Sequence, residues 1–317
     1  MRAATIRDKQ IVIEEHPDPV PGTGEVLVRV HAAGLNGADM MQRRGLYPAP
    51  PGSPQDIPGM EFAGEVLALG EHPPGAERFA LGARVMGIVG GGAQAELVLA
   101  HERILMPVPA SLDWDAAGGL PEVFMTAHDA LFVQAELRCG ERLLVHGGAG
   151  GVGTAAIQLA RAVGAQVTAT VRSEDSHAQV AALGAEVIVP EGFAEHGPFD
   201  VILELVGAPN LAENLQALAT GGRISVIGVS AGAKAELNLL ALMGKRARIF
   251  GSTLRARPLE EKAISARGLE HEVLPLFETS PPTLQVPVAE TFPLEQAAAA
   301  YERFAAGGKC GKVVLRI

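Results

Sequence analysis

Arg142-Leu143-Leu144-Val145-His146 runs directly into Gly147-Gly148-Ala149-Gly150-Gly151-Val152-Gly153, and this junction decides the fold. The first five residues read as a short apolar strand. Gly148, Gly150 and Gly153 then fit G-x-G-x-x-G, with Ala149, Gly151 and Val152 between them. In that pattern the first glycine permits the turn, and the second lets the backbone approach a pyrophosphate. The third lets a helix pack closely on the sheet. The free N–H groups at the helix start face the anion. Downstream, Ala156, Leu159, Ala160 and Val163 recur at i, i+3, i+4 and i+7, which predicts one buried helix face. A glycine hairpin or linker is the rival reading of any such turn. The strand before it and the helix after it favour a dinucleotide-phosphate turn.

The same alternation extends on both sides of the second strand. Short β-branched or apolar runs fall at 143–145, 167–171, 187–189, 201–205, 224–227 and 249–250. Gly164 and Gly184 each stand where a helix should end and a strand begin, the place for a left-handed C′ residue. Strand and helix alternating from 121 to 251 predict a parallel, doubly wound sheet. Before residue 120 the pattern differs. Residues 25–30 alternate polar and apolar, 48–58 form a proline-studded loop, and further short strands fit 63–69, 84–88 and 95–98. Many short strands with close turn signals predict a β-rich domain. The last sixty residues hold a helical stretch, 294–306, and a terminal strand, 312–317. That strand needs a β partner, which places it with the first domain.

Composition excludes several classes. Acidic residues outnumber basic ones 36 to 26, a net charge of −10, which argues against nucleic acid or an anionic membrane as partner. No apolar leader opens the sequence and no run of eighteen apolar residues occurs, so no membrane span is expected. The two cysteines, Cys139 and Cys310, are far apart, which fits a reducing cytosol and no disulfide scaffold. The 38 glycines against 4% aromatics call for many turns and close backbone approaches.

The end of the second strand distinguishes the two nicotinamide dinucleotides. A carboxylate there binds the ribose hydroxyl of NAD, whereas basic or small polar groups suit the phosphate of NADP. The chain reads Thr168-Ala169-Thr170-Val171-Arg172-Ser173, so Arg172 and Ser173 favour NADPH. Glu174 and Asp175 follow at once, and a shift of two residues would reverse the preference. A solvated loop charge is the rival role for Arg172.

Ala32-Ala33-Gly34-Leu35-Asn36-Gly37-Ala38-Asp39, Arg44-Gly45-Leu46-Tyr47-Pro48, Pro58-Gly59-Met60-Glu61-Phe62-Ala63-Gly64, Leu120-Pro121-Glu122 and Gly251-Ser252-Thr253-Leu254-Arg255 occur in that order around the glycine turn. In these motifs the whole chain resembles the zinc-free quinone oxidoreductase branch of the medium-chain dehydrogenase/reductases, the zeta-crystallin-like NADPH:quinone reductases. The resemblance implies a GroES-like catalytic domain, 1–122 and 257–317, split around a Rossmann domain, 123–256. It also implies that Asn36, Tyr47 and Thr126 border the acceptor slot. Val206, Gly228, Val229, Ser252, Thr253 and Leu254, at strand ends, would join the glycine turn in holding the cofactor. Blander roles compete: Asn36 as a turn residue, Tyr47 packing on Pro48 and Pro50, Thr126 capping a helix, and the strand-end residues merely turning the chain. Glu61 matches a glutamate retained in the family and is expected to be structural.

The chain departs from the family in places. Ser176 stands where a lysine often serves the 2′-phosphate, and His128 replaces an aromatic. The stretch 189–200 is short, and the tyrosine common near the adenine ribose in the family is either lost there or replaced by Phe193. A catalytic zinc wants about three convergent Cys, His or carboxylate ligands. Asn36 and Met60 occupy positions where zinc relatives carry a cysteine and a histidine, so no zinc is expected. Without a metal the acceptor must already be electrophilic. The expected activity is NADPH-dependent quinone reduction, with enone reduction or a non-catalytic NADPH-binding redox sensor as alternatives. The edge strand, 248–254, is expected to pair with its copy in a homodimer.

Overall fold

The computed structural model describes residues 1–72 and 77–317. The chain forms two compact units. One comprises Met1–Met125, Leu254–Gly307 and Lys312–Ile317, and the other Thr126–Thr253 with Gly308–Gly311.

The first unit opens with a hairpin, β1 (Arg2–Arg7) and β2 (Gln10–Glu15). Then come β3 (Glu25–Gly34), the helix α1 (Gly37–Arg43), β4 (Glu61–Leu69), β5 (Arg84–Ile88), β6 (Leu97–His101) and β7 (Leu105–Pro107). Two short helices follow, α2 (Trp114–Gly118) and α3 (Pro121–His128), the last three residues of which are counted with the second unit. β3 is the hub, paired antiparallel with β4, with β6 and with the last strand. Its Val26, Val28 and Val30 are buried beside Phe62 and Val85, while Arg29 points out, as alternation along a half-buried strand requires. The expected strand at 95–98 lies two residues later, because Ala95 leaves the sheet to bridge Ala3.

The second unit holds β8 (Arg142–His146), α4 (Gly151–Ala162), β9 (Gln166–Thr170), α5 (His177–Ala182) and β10 (Glu186–Ile188). It continues with β11 (Phe199–Glu204), α6 (Leu211–Ala217), β12 (Leu218–Val226), α7 (Leu239–Lys245) and β13 (Arg248–Gly251). The strand order is β10-β9-β8-β11-β12-β13, and every pairing is parallel. Counted within the unit this is 3-2-1-4-5-6, the Rossmann order, and it reverses between β8 and β11. The expected doubly wound sheet is therefore present. Gly164 and Gly184 adopt φ of 82° and 104° after their helices, as expected of C′ residues. Val163 is a correction. It is the C-cap of α4 and is exposed, because Gly164 stops the helix before a further turn can return Val163 to the buried face.

The chain then returns to the first unit through α8 (Leu259–Glu272), β14 (Val288–Pro293), α9 (Ala297–Ala306) and β15 (Lys312–Arg316). β15 finds its partner in β3, with Leu315 opposite Ala33. Among the described residues no helix is long and apolar enough to cross a membrane.

Candidate active site

In the second unit the turn after β8 is shaped by glycine. Gly147 has φ of 70°, and the Gly150 N–H donates to its carbonyl at 3.0 Å. Gly150 caps α4, and the Thr154 N–H returns to the Gly150 carbonyl at 2.8 Å. A Cβ on Gly148 would stand 2.8 Å from the Ala169 Cβ, and one on Gly153 would stand 2.4 Å from the Gly147 oxygen. The helix start thus lies on the turn itself and leaves Ala149, Gly150, Gly151 and Val152 partly exposed at its mouth. Such a cradle fits a dinucleotide pyrophosphate.

β9 ends at Thr170. Beyond it Arg172 is exposed and Ser173 half-buried, and Glu174 and Asp175 lie in the following 3-10 turn. Ser176 is buried, so it offers nothing to a phosphate. Phe193 is a correction. It is 2% exposed and meets the His146 ring edge-on at 4.6 Å, a core position that leaves no face for an adenine ribose.

Val206 is half-buried at the end of β11, and Gly207 turns the chain there with φ of 111°. Gly228 is held close to β11, where a Cβ would meet the Leu205 oxygen at 2.4 Å, and Val229 beside it is exposed. Ser252 donates to Asp129 at 2.8 Å, with Thr253 exposed next to it. Leu254 belongs to the first unit and is buried, lining a small apolar cavity with Ile88, Ile104, Met125 and Lys262. Thr126 is buried within α3 rather than at its start, so it is not a cap. His128 is also buried, with its ring 5.6 Å from that of Phe132.

In the first unit a buried ion pair organises the residues around Asn36. The Lys312 ammonium donates to Glu61 at 2.6 Å, to the Asn36 side-chain oxygen at 2.8 Å and to the Leu35 carbonyl at 2.8 Å. The Asn36 amide nitrogen donates to the same Glu61 oxygen at 2.8 Å, and the Glu122 N–H donates to the other at 2.8 Å. Glu61 is 0% exposed and Lys312 3%. All three ammonium protons are used, and both Asn36 polar atoms are engaged, so its amide has one orientation. A charged pair this deep is tolerable only with such complete hydrogen bonding.

Asp39 sits beside this cluster and accepts from the Asn36 N–H at 2.8 Å and the Gly59 N–H at 3.2 Å. Burial raises its pKa to about 6 against those two donors. Tyr47 is held by Arg255, whose guanidinium lies 5.2 Å from the ring centre and donates to the Tyr47 carbonyl at 3.2 Å. The same guanidinium reaches the Gly90 carbonyl at 2.7 Å and the Gln42 side chain at 2.5 Å. Burial pushes the Tyr47 phenol up, with Arg255 opposing, so the ring stays a neutral donor and acceptor.

The Lys312 ammonium rests on the Glu61 carboxylate and on the Asn36 side-chain oxygen, and among the described residues no group of three His, Cys, Asp or Glu side chains is placed to hold a metal ion.

A β-rich unit interrupted in sequence by a Rossmann unit with a glycine cradle defines the alcohol-dehydrogenase-like, medium-chain dehydrogenase/reductase class. Residues 22–110 match the alcohol dehydrogenase GroES-like domain and residues 151–267 the zinc-binding dehydrogenase family. A quinone oxidoreductase of Rattus norvegicus is 33% identical over 315 residues, which cover 94% of this chain and 90% of that protein. An alcohol dehydrogenase superfamily protein from Novosphingobium aromaticivorans superposes with a TM-score of 0.88 at 30% identity, covering 100% of this chain and 99% of that one. A mycobacterial protein solved with NADPH superposes with a TM-score of 0.88 at 26% identity, covering 100% of both. The chain belongs to the quinone oxidoreductase family.

Sequence reasoning missed three groups. In the sequence Lys312 reads only as the start of a strand, although Glu61, the glutamate it pairs with, stands in a motif. Glu204 and His146, both buried at strand ends, read as strand residues. Arg255 closes the 251–255 motif, which gives no sign of its contact with Tyr47.

Proposed function

We propose that the chain is an NADPH:quinone oxidoreductase that works without zinc. The observation that carries this reading is the Lys312 ammonium on Glu61 and Asn36: the carboxylate is already paired from within, and among the described residues no group of three His, Cys, Asp or Glu is placed for a Lewis acid. When bound, the nicotinamide supplies hydride to an acceptor that is electrophilic without metal help, as a quinone is. The chain's own part is to hold and orient. Gly148, Ala149, Gly150, Gly151, Val152 and Gly153 are assigned to the pyrophosphate. Val206, Gly228, Val229, Ser252, Thr253 and Leu254 are assigned to the rest of the cofactor. The roles of Asn36, Tyr47 and Thr126 towards the acceptor belong to the same proposal.

The test is NADPH oxidation against a panel of small quinones with and without EDTA, with enones as a second arm. Turnover of quinones that survives chelation is expected. Failure on every quinone would refute the assignment, and faster turnover of enones would move it to the alternative substrate class.

Arg172 supports NADPH over NADH, since it is exposed at the strand end with no carboxylate before it. Arg172→Ala is expected to raise the NADPH KM about tenfold, the worth of one charge-assisted hydrogen bond, and to leave that for NADH unchanged. Equal effects on both would remove Arg172 from this role.

A homodimer is part of the proposal. β13 pairs only with β12 among the described residues, leaving one edge open. On α7, Ala241 and Leu242 pack inward, while Leu239, Leu240 and Met243 are 62%, 79% and 69% exposed. An open edge beside an apolar helix face suits a second copy of the chain. Light scattering should give twice the chain mass, and Leu240→Glu with Met243→Glu should halve it; a monomeric wild type would dispose of the dimer. The two free thiols fit a cytosolic setting.

A further inference from the structure

Four buried polar side chains of the second unit, His146, Thr170, Glu204 and Asn214, form one chain of hydrogen bonds between the glycine turn and the Val206–Gly207 loop. At one end the Gly147 N–H donates to the Thr170 hydroxyl oxygen at 3.3 Å. That oxygen lies 3.1 Å from His146 Nδ1, and His146 Nε2 lies 2.8 Å from the Asn214 side-chain oxygen. The Asn214 amide nitrogen donates to Glu204 at 2.7 Å. The other Glu204 oxygen accepts the Val206 N–H at 2.6 Å and the Gly207 N–H at 2.7 Å. Asn210 donates to both Glu204 oxygens, at 3.3 and 3.1 Å. His146, Thr170, Glu204 and Asn214 are all at most 3% exposed.

From Glu204 to His146 Nε2 the direction of each link follows from the inventory of donors and acceptors, and the Thr170 link then follows from a neutral ring. A carboxylate takes only donors, so Asn214 must offer its nitrogen to Glu204 and its oxygen to His146. His146 then carries its proton on Nε2, and its bare Nδ1 takes the Thr170 hydroxyl proton. The remaining lone pairs on the Thr170 oxygen accept the Gly147 N–H. A proton on Nδ1 would reverse that link, making the Thr170 oxygen the acceptor and turning its own proton away from the ring.

We propose that this chain is a positioning device, with neutral His146 protonated on Nε2 at its centre, that couples the glycine turn to the Val206–Gly207 loop. It makes the two loops one object, so that a cofactor gripped at its pyrophosphate meets a second loop already in register. It rests on the assignment of this unit as the NADPH-binding unit. Burial supports the neutral ring, lowering the His146 pKa against the pull of Glu204 and then of Glu213, the charged groups that face it. The nearest aromatic, Phe193, adds an apolar wall.

The experiment has two parts, both on the full chain. Nitrogen-resolved NMR of labelled histidine should show His146 as the Nε2-protonated tautomer at neutral pH. A double-mutant cycle of Thr170→Val and Glu204→Gln should then be read as NADPH affinity and as melting temperature. Each single variant is expected to weaken NADPH about tenfold. The double variant should be little worse than the poorer single, because one cut already uncouples the loops. Thr170→Val conserves volume and so keeps a folded protein for the comparison. An Nδ1-protonated or charged ring, or losses that multiply in the double variant, would overturn the coupling. A wild type that binds no NADPH would overturn the cofactor assignment instead, and the tautomer and the melting cycle would still decide the chain.

Discussion

Lys312→Met is expected to destabilise the protein by about 3–5 kcal/mol, the cost of leaving one partner of a buried pair uncompensated. The substitution keeps a similar apolar stem but removes three hydrogen bonds at once, to Glu61, to Asn36 and to the Leu35 carbonyl. Glu61 would then be an unpaired carboxylate with no exposed surface. Two comparisons separate charge from packing. Glu61→Gln alone strands the ammonium and should be similarly damaging. Glu61→Gln combined with Lys312→Met removes both charges and should recover most of the loss, since replacing a whole buried pair is often nearly neutral. Urea unfolding of the four proteins measures this directly. A single-variant loss below about 1 kcal/mol, the range of exposed pairs, would show that the pair is open to solvent. In the double variant the Asn36 amide loses its fixed orientation even where stability returns. Quinone KM and kcat should therefore stay impaired while NADPH affinity is normal.

The second large effect concerns the cradle. Gly153→Val would place a Cβ 2.4 Å from the Gly147 oxygen and 2.8 Å from the Gly148 Cα, both backbone atoms that cannot swing aside. The start of α4 must lift off the turn, and the N–H groups lose their aim at the pyrophosphate. NADPH affinity should fall at least ~100-fold, about 2.7 kcal/mol. Gly244→Ala is the control. No atom lies within 4 Å of its added Cβ, and in a helix alanine replaces glycine at a gain of up to about 1 kcal/mol. Fluorescence titration with NADPH reads both. Near-normal binding by Gly153→Val would mean that the third glycine is not needed for close packing.

Much of the second unit is legible because its signals are local. Gly148, Gly150 and Gly153 fall within six consecutive positions, and each strand announces itself by a few β-branched or apolar residues before a turn. Periodicity overran only at Val163, where the glycine behind it outranked the helix pattern. The first hairpin carries no such signal. Its turn uses Asp8 and Lys9 at φ of 48° and 64°, a left-handed pair without the asparagine or glycine that usually marks it. Around the candidate site the difficulty is distance along the chain. Asn36, Glu61 and Tyr47 stand in recognisable motifs, but Lys312 is 251 residues from Glu61. His146 is 68 residues from the Asn214 that fixes its proton. No pattern in a single sequence links such pairs, since only the folded sheet edges bring them together.

The split of the first unit has a consequence for how the protein is made. The nucleotide-binding unit is contiguous but for four residues, so the ribosome delivers nearly all of it as one piece, and domains delivered that way generally fold as units during synthesis. The first unit emerges earlier yet finishes later. β3 waits for β15, and Glu61 stays without its ammonium until residue 312 leaves the exit tunnel. Nascent chains stalled before β15 should therefore be protected from protease over 126–253 and cut within the first hundred residues. On that expectation the last strand is a latch, closing the older half of the molecule only once the younger half has been made.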